Sequence, residues 1–251
     1  MRRVFIVSVV VLFALVGPGA HAQLRVLKVD GDVQYHAGRR WTEARSGDIV
    51  PLESRIRVAD GSGVVLTDDD VVLTLERPET FIIADVLAVG KMLASPVIRE
   101  LVVDRAVEVA SEIGRAVSRD EYDLVAEAVS RLDVRNAATF AEEFVDLVVR
   151  VGTEAGVDRR FGGSVVLFRA LALLAEAAYA EALDTLHPLL DDDTISTAER
   201  QRAFVLSAIS FRGIGHVGTA GEYLRYAAEL DRNSSEGRVA RELLAMFFSA
   251  E

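Results

Sequence analysis

The stretch "FRGIGHVGTAGEY", residues 211–223, sets Gly213, Gly215 and Gly218 in the GxGxxG spacing of a loop that cradles phosphate. How it is read decides the fold of the C-terminal hundred residues. Such a loop works when it follows a parallel strand, lets a pyrophosphate approach the backbone and aims a helix N-terminus at it within a βαβ unit. The preceding "RAFVLSAISF" has the apolar content of a strand, and Asp231 lies near the distance at which an acid holds a ribose. The unit then needs a second strand. "NSSEGRVARELLAMFFSAE" instead carries a capping pair, Asn233 with Glu236, and helical spacing. The three glycines are therefore assigned to a turn between two helices, supplying positive φ and close backbone approach. No cofactor is expected.

Working outward from that turn, "VVLFRALALLAEAAYAEALDTLHPLL" (165–190) and "AERQRAFVLSAISFRGIGHVGTAGEYLRYAAELD" (198–231) repeat one scheme. Aligning Ala182 with Ala220 brings Leu186 onto Leu224 and Asp184 onto Glu222. Small residues Ala175, Ala177 and Ala178 mark a close helix crossing, Tyr179 opens the second helix, and Ser196 with Glu199 forms a capping box. These units resemble tetratricopeptide-type hairpins, whose usual repeat is about 34 residues. The longer offset here is absorbed by the acidic "DDDTIS" connection, where insertion costs little. The resemblance implies an array over 163–251, closed by a helix at 236–248, with a concave groove for a peptide or helix of another protein. Arg169, Tyr179, Arg202, Tyr223 and Arg225 are the candidate partner-binding residues there, because Arg and Tyr recur at binding hot spots.

Ahead of the array the pattern changes twice. From Leu24 to about Ala84 short apolar or alternating runs are broken by turn signals such as Asp30-Gly31, Ala37-Gly38, 60–63 and 68–70. In "SRIRV", Ile56 and Val58 face one side and Arg55 and Arg57 the other, as a half-buried strand requires. Six or seven short strands are expected over 23–87. A joint is expected near 85–92, then a helical middle region over 92–152. Its starts are marked by Ser95 before Pro96, Ser118 with Glu121, and Asn136. The fold class is α+β, a small all-β module followed by helices.

The residues "GDVQY" (31–35), Trp41, "SGDIV" (46–50), "RIRVADGSGVVLT" (55–67) and the closing "VLTLE" come in the order seen in FecR-type periplasmic domains, which this module resembles over roughly 24–84. The resemblance implies an exported, non-enzymatic β domain. It departs from the family's regulators, which carry a cytosolic segment and membrane anchor ahead of the domain, so direct transcriptional regulation is not expected. Here "MRRVFIVSVVVLFALVGPGAHAQ" reads as a secretory signal peptide cut after Ala22, and its 13-residue apolar run is shorter than the roughly twenty residues of a spanning helix. The expected location is the periplasm or the medium.

Composition narrows the function further. The chain has no cysteine and hence no disulfide. Its net charge of -11 becomes -13 once Arg2 and Arg3 leave with the signal, which disfavours nucleic acid and anionic lipid as partners. There is no GxSxG elbow and no HExxH. His36, His187 and His216 lack acidic or histidine companions at metal-ligand spacing, and neighbours such as Glu142 and Glu143 point apart on a helix. The acidic run 68–70 reads as a solvated hairpin turn rather than a calcium loop. No catalytic or metal residue is assigned. Trp41 is expected in the core of the module, with stacking on a ligand as the alternative. The expected role is an interaction scaffold or adaptor for another envelope protein. The alternative is a module binding cell-wall glycan, peptidoglycan above all, which needs Trp41 and Tyr35 exposed on one face.

Overall fold

The computed structural model describes residues 23–38, 40–114, 144–146, 148–150 and 162–248. The segment 1–22 that reads as a signal peptide, the capping signals at Ser118 and Asn136, and the pair Glu142 and Glu143 lie outside these residues. The fold is α+β.

Eight strands come first: β1 (Gln23–Asp30), β2 (Val33–Ala37), β3 (Arg40–Glu43), β4 (Ile49–Pro51), β5 (Arg55–Val58), β6 (Gly63–Thr67), β7 (Val72–Leu75) and β8 (Thr80–Ile82). They pair antiparallel in two sheets, β4-β1-β6-β7 and β3-β2-β5-β8. Alternation decides which side is buried. Leu24, Val26, Val64, Leu66, Leu73 and Leu75 of the first sheet, with Val33, Ile56, Val58 and Phe81 of the second, enter one continuous core. At the start of the described residues Gln23 pairs with Pro51.

The hairpin turn at 68–70 is less solvated than expected. Asp68 accepts the N–H groups of Val71 (3.0 Å) and Asp70 (3.2 Å) and meets Lys91 Nζ at 2.7 Å. Burial alone would raise the Asp68 pKa, but the Lys91 ammonium and the backbone donors outweigh it and hold the carboxyl below the usual range. Asp68 thus ties the hairpin to the helix that follows.

That helix, α1 (Ile83–Ala94), occupies the stretch expected to be a joint. It buries Ile83, Val86, Leu87, Val89 and Met92, packing against β7 and β8 on one side and the helical array on the other. Ser95 ends it and caps α2 (Pro96–Gly114), as Ser95-Pro96 foretold: the Ser95 hydroxyl accepts the Ile98 N–H at 3.4 Å.

The hairpins follow as α3 (Gly162–Ala175), α4 (Tyr179–Leu190), α5 (Thr197–Gly213) and α6 (Val217–Leu230), with α7 (Ser235–Phe247) after them. Their two turns match bond for bond. His216 N–H donates to the Phe211 carbonyl (2.8 Å) and Gly215 N–H to Arg212 (3.2 Å). Thirty-eight residues earlier, Ala178 N–H donates to Leu173 (2.8 Å) and Ala177 N–H to Leu174 (3.1 Å). Each is a Schellman stop with its C′ residue left-handed, Gly215 at φ +83° and Ala177 at φ +59°. The aligned residues Ala182, Ala220, Leu186 and Leu224 are all fully buried. No strand leads into Gly213, so the glycine stretch is a helix stop.

The glycines divide the work unequally. Gly215 supplies the positive φ, and at Gly213 a methyl group would collide with the Tyr179 ring. Gly218 meets nothing and needs no special backbone, contrary to the role expected for it. The Ser196 and Glu199 capping box forms as read. The last helix is capped by Ser234, one residue after the expected Asn233, and Ser234 accepts the Gly237 N–H at 2.9 Å.

Candidate functional site

The groove expected between the hairpins is filled by the chain's own helix. Glu100 of α2 bonds Arg238 of α7 (2.6 Å), Arg105 bonds Ser164 of α3 (2.9 Å) and Glu199 of α5 (3.2 Å), and Glu108 meets Arg202 of α5 (3.3 Å). α2 therefore crosses α7, α5 and α3, the helices that would line the groove. Phe144 adds to the cover by packing on Phe168 of α3, ring centroids 4.7 Å apart.

Two of the candidate partner-binding residues are buried inside the protein, one under α2 and one at the junction with the β module. Arg202 is only 5% exposed and pairs with Glu236 at 2.5 Å, itself 4% exposed. Together with Glu108, that pairing neutralises an otherwise costly buried charge. Burial would raise the Glu108 pKa, yet Arg105 and Arg202 outweigh it and hold the carboxyl below its ordinary range. Tyr179 is buried where the β module meets the array, against Gly213 and beside the Asp85–Arg212 ion pair. Burial, then the negative charges of Asp85 and Glu79, raise its phenol pKa well above the ordinary value. A second cross-link, Arg77 to Glu181 of α4, closes the same junction. Arg202 and Tyr179 were read as partner-facing because Arg and Tyr suit interfaces. Here the interface is internal.

The other candidates scatter. Tyr223 is half-buried between Phe211 (4.8 Å) and Phe204 (5.5 Å), while Arg169 and Arg225 stand exposed on α3 and α6 with no shared pocket. His216 begins α6, and His187 reaches only Asp191 at 4.0 Å.

Trp41 differs. It is 39% exposed rather than core, because it sits on the short outermost strand β3 and points away from the sandwich. Register then assembles a row that no single segment displays. Trp41 pairs with His36, His36 with Arg55, and Arg55 with Ile82, so one line of side chains crosses β3, β2, β5 and β8. The row beside it runs Glu43, Gln34, Arg57, Thr80. Arg57 lies over the Trp41 ring at 4.7 Å and donates to Gln34 Oε1 at 2.7 Å, and the His36 ring meets Trp41 edge-on at 5.3 Å. Ile82, 40% exposed, closes the other end of the line. Tyr35 pairs with Ile56 and so belongs to the opposite, inward face, where it packs on the core. The exposed aromatic pair required for the glycan alternative is therefore not formed.

The sequence contained half of this surface. Alternation in "SRIRV" put Arg55 and Arg57 on one face, but which residues of other strands would flank them depends on register. Among the described residues there is no group of three or more His, Asp or Glu side chains placed to hold a metal ion, and no helix long and apolar enough to cross a membrane. Comparison with known proteins finds no matching family model, no matching curated protein and no matching solved structure.

Proposed function

We propose that this chain is an exported, non-enzymatic interaction protein of the cell envelope, in which a FecR-like β module docks a partner protein and tetratricopeptide-like hairpins form its rigid base. One observation carries the reading: the row Trp41, His36, Arg55, Ile82 exposes two large apolar side chains around a cation on one sheet face. Aromatic and arginine side chains with rigid support are the usual anchors of such contacts. The array supports the reading differently from the way its sequence suggested. Its groove holds α2, and the Asp85–Arg212 and Arg77–Glu181 pairs join it to the β module.

Export rests on the leader pattern at 1–22. The glycan alternative retains one support, the exposure of Trp41, and loses the other, since Tyr35 faces inward. The test is site-specific photo-crosslinking in the intact envelope, with a photoreactive residue at position 41 or, separately, at 169 and 225. The reading expects protein adducts from position 41 and few from the other two. Adducts from 169 or 225 alone would move the surface to the helices, and enrichment of peptidoglycan fragments at 41 would select the glycan reading.

A further inference from the structure

We propose that the partner surface takes an acidic polypeptide segment with apolar side chains on either side of its carboxylates. The inference rests on the reading of the sheet face as the docking surface and adds the chemistry of what docks there.

Charge points to the acid. The chain carries a net charge of -11, yet neither Arg55 nor Arg57 has a carboxylate within ion-pair distance among the described residues, and the one acid of the two rows, Glu43, is turned to Arg45 at 3.3 Å. The two arginines stand two residues apart on the same face of β5, so their charges add locally. An anionic group placed there gains from both without displacing a carboxylate already paired with either.

Spacing points to an extended segment. Neighbouring strands lie about 4.8 Å apart, so the row from Trp41 to Ile82 spans three intervals, about 14 Å. An extended chain brings side chains to the same side about every 6.7 Å, so residues i and i+4 are about 13 Å apart. Apolar residues at i and i+4 then rest on Trp41 and Ile82, and an acid at i+2 falls between His36 and Arg55. A sugar ring fits less well. Arg57 already covers one face of the Trp41 ring, and Tyr35 supplies no second platform.

Trp41 is the only tryptophan, so its emission reports on this site alone. The experiment titrates the purified full chain with the blocked peptide Gly-Leu-Glu-Glu-Glu-Leu-Gly, with a version carrying Lys in place of each Glu, and with a soluble muropeptide. The expected result is a saturable change in Trp41 emission with the Glu peptide and at least tenfold weaker binding of the Lys peptide. Affinity should fall several-fold between low and 0.3 M salt. The double variant Arg55→Glu/Arg57→Glu should lose at least tenfold in affinity with an unchanged thermal midpoint, while Arg169→Glu binds as the parent does. Unchanged emission, equal binding of both peptides, or undiminished binding by the double variant would overturn the proposal. So would saturation by the muropeptide where the Glu peptide gives none. If position 41 crosslinks a protein while the Glu peptide fails, the docking face stands and the acidic partner falls. If both fail, the face itself is wrong.

Discussion

On the side of the hairpins covered by α2, Arg105, Arg202 and Arg238 each meet a carboxylate on another helix; on the outer face of the sheet, Arg55 and Arg57 meet none among the described residues. The same residue type serves opposite ends. Paired and buried, it fixes one helix on another, and its removal leaves a partner charge stranded. Unpaired and exposed, it contributes nothing that folding requires and remains available for an outside charge. Residue chemistry alone does not separate the two uses; burial and the presence of a carboxylate do.

The largest expected effect strikes the closed side. Arg202→Met leaves Glu236 and Glu108 without their counter-charge and should cost about 3–5 kcal/mol, read as a lowered denaturant midpoint. A cost under about 1 kcal/mol would mean that α2 does not seal the array. Next comes the junction. Gly213→Ala drives a methyl into the Tyr179 ring and should cost about 1–3 kcal/mol, whereas Gly218→Ala, inside α6 with open space around it, should be neutral or slightly stabilising. Equal effects at the two glycines would contradict the packing described for the turn.

A third expectation concerns alkaline pH. An unfolded tyrosine ionises near pH 10, while the buried Tyr179 resists ionisation. The folded state therefore keeps its full stability below about pH 10 and loses it as pH rises above that value, by about 1.4 kcal/mol per unit for this single group. Thermal midpoints measured against pH should fall above about pH 10 more steeply in the parent than in Tyr179→Phe, which lacks this contribution. The smallest effect lies on the open side: Arg55→Ser and Arg57→Ser should each shift stability by no more than about 0.5 kcal/mol, so that any change they cause in binding is not a folding defect.

Local chemistry was the most legible part of the sequence. The capping box at Ser196 and Glu199, the stop and start at Ser95 and Pro96, and the 38-residue repeat all rest on contacts within a few residues or on a repeated pattern. α1 was hidden because it is wedged between sheet and array. With Ile83, Val86, Leu87, Val89 and Met92 all buried, it lacks the polar stripe that marks a surface helix. Asn233 and Ser234 can both cap, and only the fold chooses between them. Tyr179 and Arg202 were chosen because their residue types suit interfaces, and residue type leaves open whether the contact is internal: Arg202 lies under α2 and Tyr179 against Gly213 at the junction. The row from Trp41 to Ile82 depends on pairings across 46 residues of sequence, which alternation within one strand cannot fix.

The contrast between a closed helical side and an open sheet face can be read directly by thiol labelling, since the chain has no cysteine of its own. Ser164 is buried on α3 under Arg105 of α2, which donates to its hydroxyl at 2.9 Å, and Thr80 is exposed at the end of the second row. Single variants Ser164→Cys and Thr80→Cys, treated with a small maleimide under native conditions, should react at rates differing by orders of magnitude, the first limited by opening of the α2 cover and the second near the rate of a free thiol. Comparable fast labelling at position 164 would show the groove side to be open, and would contradict the account at its centre.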